Sequence, residues 1–282
     1  LGANLTENNF LGTGKQVGIG INKSTYQSSL NFSYTEPYFT PDGVSAGYSI
    51  FARETDYSRL RLQPFSQNTK GANLNWSYPI SEIQRVGFGL GYEYLELNLG
   101  DYVSSQIIED FVSANGNWFK SVNFNLNWVK STLNRGIFAT RGTSQRLGLD
   151  LSMPGSGLEY YKVTYKGSHL RGLGKQLSLK LRADLGYGES YGDTTQMPFF
   201  KNFYSGGLGS VRGYKKYTLG PRNSPQGGFY SYSRPTGGNV QIVLGAEVIF
   251  PLPFVKDQRS LQSSLFFDAG NIFNTKCGNS EI

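Results

Sequence analysis

Apolar and polar residues alternate along much of this chain, in runs longer than the strands of most soluble sheets. Between Leu177 and Tyr187 the odd positions are apolar or aromatic, whereas the even positions include Lys180, Arg182 and Asp184. Because successive side chains of a strand point to opposite faces, this run has one apolar and one charged face. Strands of roughly ten residues with such faces are typical of a barrel between lipid and a wet lumen. The pattern therefore predicts an all-β fold, a transmembrane antiparallel β-barrel.

Twelve segments of the chain show this alternation, and helical periodicity does not compete with it in any of them. The predicted strands are Leu1–Phe10, Gly14–Asn22, Tyr26–Glu36, Val44–Thr55, Asn68–Tyr78, Gln84–Leu97, Phe119–Lys130, Thr143–Met153, Leu158–Ser168, Gln176–Glu189, Asn239–Phe250 and Ser260–Ile272. A barrel of this size fits in a single domain. We therefore expect residues 1–282 to form one outer-membrane barrel domain.

The connections between the predicted strands alternate in character. Compact connections such as Pro37–Gly43 and Pro251–Gln258 alternate with the longer or more polar Asp56–Gln67, Asn98–Trp118 and Tyr191–Gly238. Outer-membrane barrels have short periplasmic turns and longer extracellular loops. We therefore expect the longer connections outside the cell.

The longest connection, residues 191–238, contains the aromatic run Pro198–Tyr204. A disordered extracellular loop is compatible with its Gly and Ser content. An aromatic run of this kind should nevertheless be buried, and the barrel lumen is the nearest place in which it could be buried. We therefore predict a loop that folds inward into the barrel. In the second long connection, Ile107–Val112 is compatible with one or two helical turns.

Composition and charge agree with a barrel once alternation is taken into account. The mean hydropathy is −0.37, because only alternate positions of a barrel strand need to be apolar. The net charge is +7, but the 27 basic residues form no stripe and 20 acidic residues lie among them. We therefore expect a weakly basic lumen and rim and no nucleic-acid partner. The single cysteine, Cys277, cannot form an intrachain disulfide.

The sequence contains no recognisable catalytic or cofactor-binding constellation. His169 is the only histidine, and no Cys/His group has the spacing of metal ligands. Gly12–Lys15 lacks the first glycine of a phosphate-binding loop, since Asn9 occupies that position. We therefore expect a protein that is not an enzyme and needs no metal or cofactor.

Several motifs, in their order along the chain, resemble one known family. The long connection contains Met197–Gly207 and then Ser210-Val211-Arg212-Gly213-Tyr214. The other matching segments are Glu36–Ser45, Asn134–Gly136, Pro154–Ser156 and Phe266–Phe273. Together they resemble the BamA family of outer-membrane protein assembly factors. The Val-Arg-Gly-Tyr motif alone is shared with TamA-like proteins and with two-partner secretion transporters.

The resemblance implies an architecture and a function. Family barrels have sixteen strands and follow five periplasmic POTRA domains. The resemblance therefore implies a partial barrel, without POTRA domains, that lacks the first strand and about the last three. We interpret the segment as processed or trimmed. The implied function is to fold and insert nascent β-barrel proteins in the bacterial outer membrane, through lateral opening of a seam and strand templating.

The implied partners are nascent outer-membrane β-barrel proteins and accessory lipoproteins, the latter bound mainly through the periplasmic domains. Outer-membrane lipid and lipopolysaccharide would surround the barrel. The alternatives are a TamA-like or two-partner secretion transporter, or a passive outer-membrane pore.

The resemblance also implies a site inside the lumen. The loop motif is Val211, Arg212, Gly213 and Tyr214, and Arg212 would pair with Glu247 and Asp268 on the barrel wall. Alternation independently places both carboxylates on the polar faces of their predicted strands. A planar guanidinium could then bridge them. The alternatives are that both carboxylates are solvated, or that the motif serves only turn geometry, in which case Gly213 would matter more than Arg212.

Overall fold

Twelve strands form one antiparallel sheet, in which each strand pairs with the next in sequence. The computed structural model describes residues 1–60, 62, 64–100, 106–174, 177–223, 233–252 and 261–276. The strands are β1 (Gly2–Glu7), β2 (Gln16–Lys23), β3 (Gln27–Glu36), β4 (Ser45–Asp56), β5 (Phe65–Ser81), β6 (Gln84–Leu99), β7 (Trp118–Ser131), β8 (Gly142–Ser152), β9 (Tyr160–Gly172), β10 (Ser178–Ser190), β11 (Val240–Phe250) and β12 (Ser263–Phe273). One α-helix, α1, spans Gln106–Asn115, and 3₁₀ turns span Phe10–Gly12 and Phe199–Lys201.

The prediction of twelve strands is confirmed, with differences at their ends. β5 and β6 extend beyond the predicted bounds because their upper ends, which are the ends that carry the long connections, join a buried core. β9 continues to Gly172, so His169 lies inside a strand, where its Nδ1 is 2.9 Å from Thr143 Oγ1. Within the described part of the chain, β1 pairs only with β2 and β12 only with β11, so the sheet is not closed. Cys277 and most of the predicted turn Pro251–Gln258 lie outside the described residues.

The register of the sheet separates an apolar face from a polar one. Leu181 lies beside Ala246, which lies beside Phe267, and all three share a face. Leu181 and Phe267 are exposed on that face, as expected of side chains that contact lipid. One position along, Lys180 lies beside Glu247 on the opposite face. None of the helices in the described ranges is long and apolar enough to cross a membrane.

A hydrophobic core lies at the end of the sheet that carries the long connections. It joins the upper ends of β5, β6 and β7, helix α1 and the aromatic run of the longest loop. Its buried members are Phe65, Leu95, Leu97, Ile108, Phe111, Phe119, Leu158, Tyr160, Phe199 and Phe200. The helical turns predicted at Ile107–Val112 are confirmed as part of α1. Burial of the aromatic run confirms that the long loop folds inward.

The long loop has a first limb, which contains Phe203, and a second limb, which contains Gly238. The two limbs are joined to each other near the base of the loop. Phe203 N–H donates to the Gly238 carbonyl at 2.8 Å, and Gly238 N–H donates back to Phe203 at 3.2 Å. Farther along, Leu219 N–H donates to the Ser205 carbonyl at 3.1 Å. These antiparallel pairs hold the two limbs of the loop side by side.

Candidate functional site

The loop motif lies against the polar face of β11 and β12, inside the lumen. Val211 is buried, and its carbonyl accepts a hydrogen bond from Gly207 N–H at 3.0 Å. Gly213 has φ +90°, a conformation that other L-residues rarely adopt. Tyr214 points away and is exposed. The tight turn therefore leaves Arg212 as the motif side chain directed at the barrel wall.

Arg212 binds Asp268 of β12 through three hydrogen bonds. Its Nε donates to Oδ2 at 2.6 Å, its Nη2 to Oδ1 at 2.9 Å and its backbone N–H to Oδ2 at 3.1 Å. The paired side-chain bonds have the fork geometry in which a guanidinium matches a carboxylate. The Asp268 side chain is only 1% exposed, so its charge depends on these partners rather than on water.

Arg212 also contacts β11, and it therefore spans two strands. Its Nη1 donates to Glu247 Oε1. Its guanidinium carbon lies 3.6 Å from the centroid of the Phe266 ring, in cation–π contact. The hydrogen bonds that its guanidinium donates to Asp268, together with the nearby Glu247, keep the pKa of Arg212 above its usual value, although partial burial opposes this. The structure thus brings Arg212, Glu247 and Asp268 together, and we call these three residues the arginine anchor.

Two cations on β10 complete the surroundings of the arginine anchor, and neither is evident from the loop motif. Lys180 Nζ lies 3.1 Å from Glu247 Oε2. Arg182 Nη2 donates to Asp268 Oδ1 at 3.2 Å and to the Ser210 carbonyl. Because Arg182 also binds the loop backbone, it ties the loop to β10 as well as to β12. Alternation already places Lys180 and Arg182 inward, so this signal was present in the sequence.

Gly245 explains how Arg182 reaches across an intervening strand. The register places Gly245 between Arg182 on β10 and Asp268 on β12. A Cβ atom at Gly245 would lie 2.8 Å from Asp268 Oδ1 and 3.1 Å from Arg182 Nε. The missing side chain therefore leaves room for the ion pair between the two outer strands.

A second attachment holds the first limb of the loop at the upper end of the lumen. Phe199 and Phe200 are buried in the hydrophobic core. Lys201 Nζ pairs with Glu93 Oε1 at 2.9 Å, and Lys162 Nζ donates to the Lys201 carbonyl at 2.6 Å. We call the segment Phe199–Phe203 with these contacts the aromatic anchor.

The wall of the barrel is shaped to receive the aromatic anchor. A Cβ atom at Gly186 would lie 2.6 Å from Phe203 Cζ, so the ring occupies space that any larger residue would fill. Burial disfavours the charge of Lys201, but Tyr160 and Glu93 outweigh this effect and raise its pKa. Lys201 therefore remains a cation inside the protein.

The contacts of both anchors hold the loop in position. Their contacts are ion pairs, hydrogen bonds and ring contacts, which fix where the loop lies. In the described ranges, no group of three or more His, Cys, Asp or Glu side chains could hold a metal ion. The functional roles assigned to Val211, Arg212, Gly213, Tyr214, Glu247 and Asp268 remain predictions.

The amino-acid sequence of this chain is similar to those of known proteins. Residues 9–281 match the model of the Omp85 superfamily domain. The outer membrane protein assembly factor BamA of Neisseria meningitidis serogroup B is 34% identical over 98% of this chain, and 35% of that relative is covered. BamA of Nitratidesulfovibrio vulgaris is 25% identical over 79% of the chain, and 27% of it is covered. The chain thus spans about a third or less of the length of these relatives.

Solved structures give the same picture. A crystal structure of BamA from Haemophilus ducreyi lacking POTRA domains 1–3 has a TM-score of 0.89 and 30% identity, with 97% of this chain and 55% of that chain covered. CdiB from Escherichia coli has a TM-score of 0.58 at 15% identity over 99% of this chain and 50% of its own. The likeness to CdiB is one of fold alone.

Proposed function

The chain belongs to the Omp85 superfamily, and from that premise we propose that it is the membrane domain of an outer-membrane protein assembly factor. The resemblance to the BamA family is confirmed by the identity to the Neisseria protein and by the structural match to the Haemophilus barrel. The chain is accordingly a protein of the bacterial outer membrane. The observation that carries the proposal is this match, which extends over nearly the whole chain.

We propose that the protein folds and inserts nascent β-barrel proteins by offering them a strand edge. An unpaired backbone group is costly in lipid, so an exposed barrel edge is a strong template for an incoming strand. In the mechanism that the family resemblance implies, a seam between the terminal strands of the sixteen-stranded barrel opens laterally. Incoming strands then pair with its edge by β-augmentation. Backbone hydrogen bonding supplies the chemistry, without a cofactor, a metal or an enzymatic step.

The inward-folded loop favours an assembly factor over a passive pore. A pore that conducts solutes needs an open, polar constriction. Here the loop is tied to β10, β11 and β12 through Arg182, Glu247 and Asp268, and its aromatic anchor occupies the upper lumen. We propose that the two anchors keep the loop in one position against this wall while clients are assembled.

The proposed partners follow from the same function. Nascent outer-membrane β-barrel proteins would be the clients. Accessory lipoproteins would bind mainly through periplasmic domains outside this segment, and outer-membrane lipid and lipopolysaccharide would surround the barrel.

The proposal is tested by reconstituting the full-length protein, with its accessory lipoproteins, in liposomes. A urea-denatured β-barrel client is added, and its folded form is followed by heat-modifiable gel mobility. We expect client folding well above that in empty liposomes, several-fold slower folding with Arg212→Ala, and no change with Lys215→Ala, which alters an exposed loop cation. Large steady single-channel conductance without client folding would favour the passive pore and overturn the proposal.

A further inference from the structure

A cavity of about 520 Å³ lies in the lumen between the first limb of the long loop and the walls of β3, β4 and β5. Its size falls in the range of roughly 300–1,000 Å³ that is usual for small-molecule sites. It lies apart from the arginine anchor, at the end of the sheet that carries the long connections. Of its lining residues that the structure describes, Arg53 and Lys201 are basic and none is acidic.

Gln67 lines this cavity and carries an unsatisfied polar atom. The residue is 8% exposed, and its Nε2 donates to Thr69 Oγ1 at 3.0 Å. Its Oε1 is buried without a hydrogen-bond partner. Thr69 can hold only one end of the amide, so the other end lacks a partner whichever way the amide is turned. A buried amide in this state is favourably completed by a ligand that donates or accepts hydrogen bonds, as a hydroxyl group does.

Arg53 gives the cavity a positive charge. It lies on the same inward face as Gln67 and Thr55, two residues along β4 from Thr55. No carboxylate of the described residues forms a salt bridge with Arg53, in contrast to Lys201, which pairs with Glu93. Among the described lining residues, Arg53 is therefore a cation available to bind an anionic group.

Aromatic rings line the same space, and a second cation, Lys216, contacts two of these rings. Tyr26, Tyr57 and Tyr217 line the cavity. Lys216 Nζ lies 5.7 Å from the centroid of the Tyr26 ring and 4.6 Å from that of Tyr217. Tyrosine faces offer flat apolar surface beside polar groups, which suits a ring that carries hydroxyls at its edge.

From this combination we propose that the cavity binds a negatively charged saccharide, such as a sugar phosphate. Arg53 and Lys216 would bind the anionic group, Gln67 would bind a ring hydroxyl, and the tyrosines would contact the ring. A simple anion would satisfy the cations but not the buried amide. The sugar can be free in solution or part of the headgroup of an outer-leaflet glycolipid, since the recognised chemistry is the same.

The proposal is tested with the full-length protein in nanodiscs of phospholipid only, titrated by calorimetry. The probes separate the two chemistries: glucose 6-phosphate carries hydroxyls and charge, glucose carries hydroxyls alone and inorganic phosphate carries charge alone. Triaspartate serves as an acidic peptide. The variants are Arg53→Gln and Gln67→Leu, with Lys166→Gln as a control that removes an inward cation of β9. Gln67→Met replaces Gln67→Leu if that variant does not fold.

We expect glucose 6-phosphate to bind more tightly than either partial probe. Arg53→Gln should weaken its binding about tenfold, to the level of glucose. The change at Gln67 should weaken glucose 6-phosphate and glucose by the same factor and leave inorganic phosphate unaffected. Lys166→Gln should change none of these affinities.

Three results would overturn the proposal: no saturable binding of glucose 6-phosphate, equal binding of inorganic phosphate without any effect of Gln67, or tighter binding of triaspartate. A further arm identifies the source of the sugar within the proposal. Nanodiscs that contain lipopolysaccharide should compete with glucose 6-phosphate if a glycolipid occupies the site. Unchanged binding assigns the site to a soluble sugar.

Discussion

The aromatic anchor and the arginine anchor hold the same loop by different physical means. At the aromatic anchor, Phe199 packs edge-on against Phe65, Phe111 and Phe200, with ring centroids 5.0 to 5.4 Å apart. At the arginine anchor, one side chain makes directional bonds to Glu247 and Asp268. The first attachment is distributed over many weak contacts, whereas the second is concentrated in one guanidinium.

The two anchors contribute differently to the stability of the loop and to its position. Apolar contacts are individually small and add up with buried area, so a core of rings contributes mostly to how firmly the loop is held. A forked guanidinium demands its partners at set distances and angles, so it contributes mostly to where the loop lies. The comparison predicts that the two anchors respond differently to substitution.

The largest effect is expected at the aromatic anchor. Phe199→Ala removes a ring that is 4% exposed and leaves a cavity, which should cost about 3–5 kcal/mol of unfolding free energy. The measurement is equilibrium unfolding in denaturant, followed by heat-modifiable mobility. Leu208→Ala, at a loop position that is 89% exposed, is the control and should change little. Equal losses for both variants would show that the loop contributes no packed core.

Reversing the charge at Asp268 in the arginine anchor should have the next largest effect. Asp268→Lys would place an ammonium against Arg212 and Arg182, at a cost on the order of 3 kcal/mol, which the wet lumen limits. We expect this variant to be at least as harmful to client folding as Arg212→Ala, while most of the barrel remains folded. Asp184→Lys, on the inward face of β10, is the charge-matched control. If Asp268→Lys assembled clients normally, the arginine anchor would have no part in the function.

A smaller effect should follow from Arg212→Lys, and it tests placement directly. An ammonium keeps the charge but cannot make the forked pair with Asp268 while it reaches Glu247. We expect a loss of about 1 kcal/mol and partial client folding, between those of the native protein and of Arg212→Ala. Full rescue by lysine would mean that charge alone is required. Comparison with Gly213→Ala tests the alternative that the turn matters more than Arg212.

The smallest effect should come from Glu159, at the root of the loop. Its carboxylate accepts N–H bonds from Gly155 at 2.7 Å and from Asp193 at 3.0 Å, and these bonds lower its pKa. The resulting stability is present above the unfolded pKa, about 4.3, and is lost as the pH falls through the lower folded value.

Amide hydrogen exchange of residues near Asp193 measures this contribution. Protection should decrease on acidification in the native protein. In Glu159→Gln it should start lower and lose that part of its pH dependence. An unchanged pH profile in this variant would exclude Glu159 as the group responsible.

The sequence predicted the faces of this barrel better than its long-range contacts. Alternation placed Glu247 and Asp268 on polar faces, and the aromatic run indicated that the loop would be buried. The link from Arg182 to Asp268 depends on Gly245 lying between them, which only the register of three strands reveals.

The pair of Lys201 with Glu93 was not predicted for a related reason. The two residues are 108 positions apart, and their contact depends on the path of the loop through the lumen. Local periodicity carries no information about such a path. The cavity beside Gln67 was missed for the same reason, because one of its walls is the loop.

The hydrogen bonds between Phe203 and Gly238 have a consequence for cleaved molecules. A protease that cuts at the exposed Leu208 would break the loop but free neither new end. The upstream end would stay attached through the aromatic anchor and Gly238, and the downstream end through Arg212. The nicked protein should therefore migrate as one folded barrel on a native gel and as two fragments after boiling. Such a barrel could be assembled from two separately made halves, with the loop as the place where they are divided.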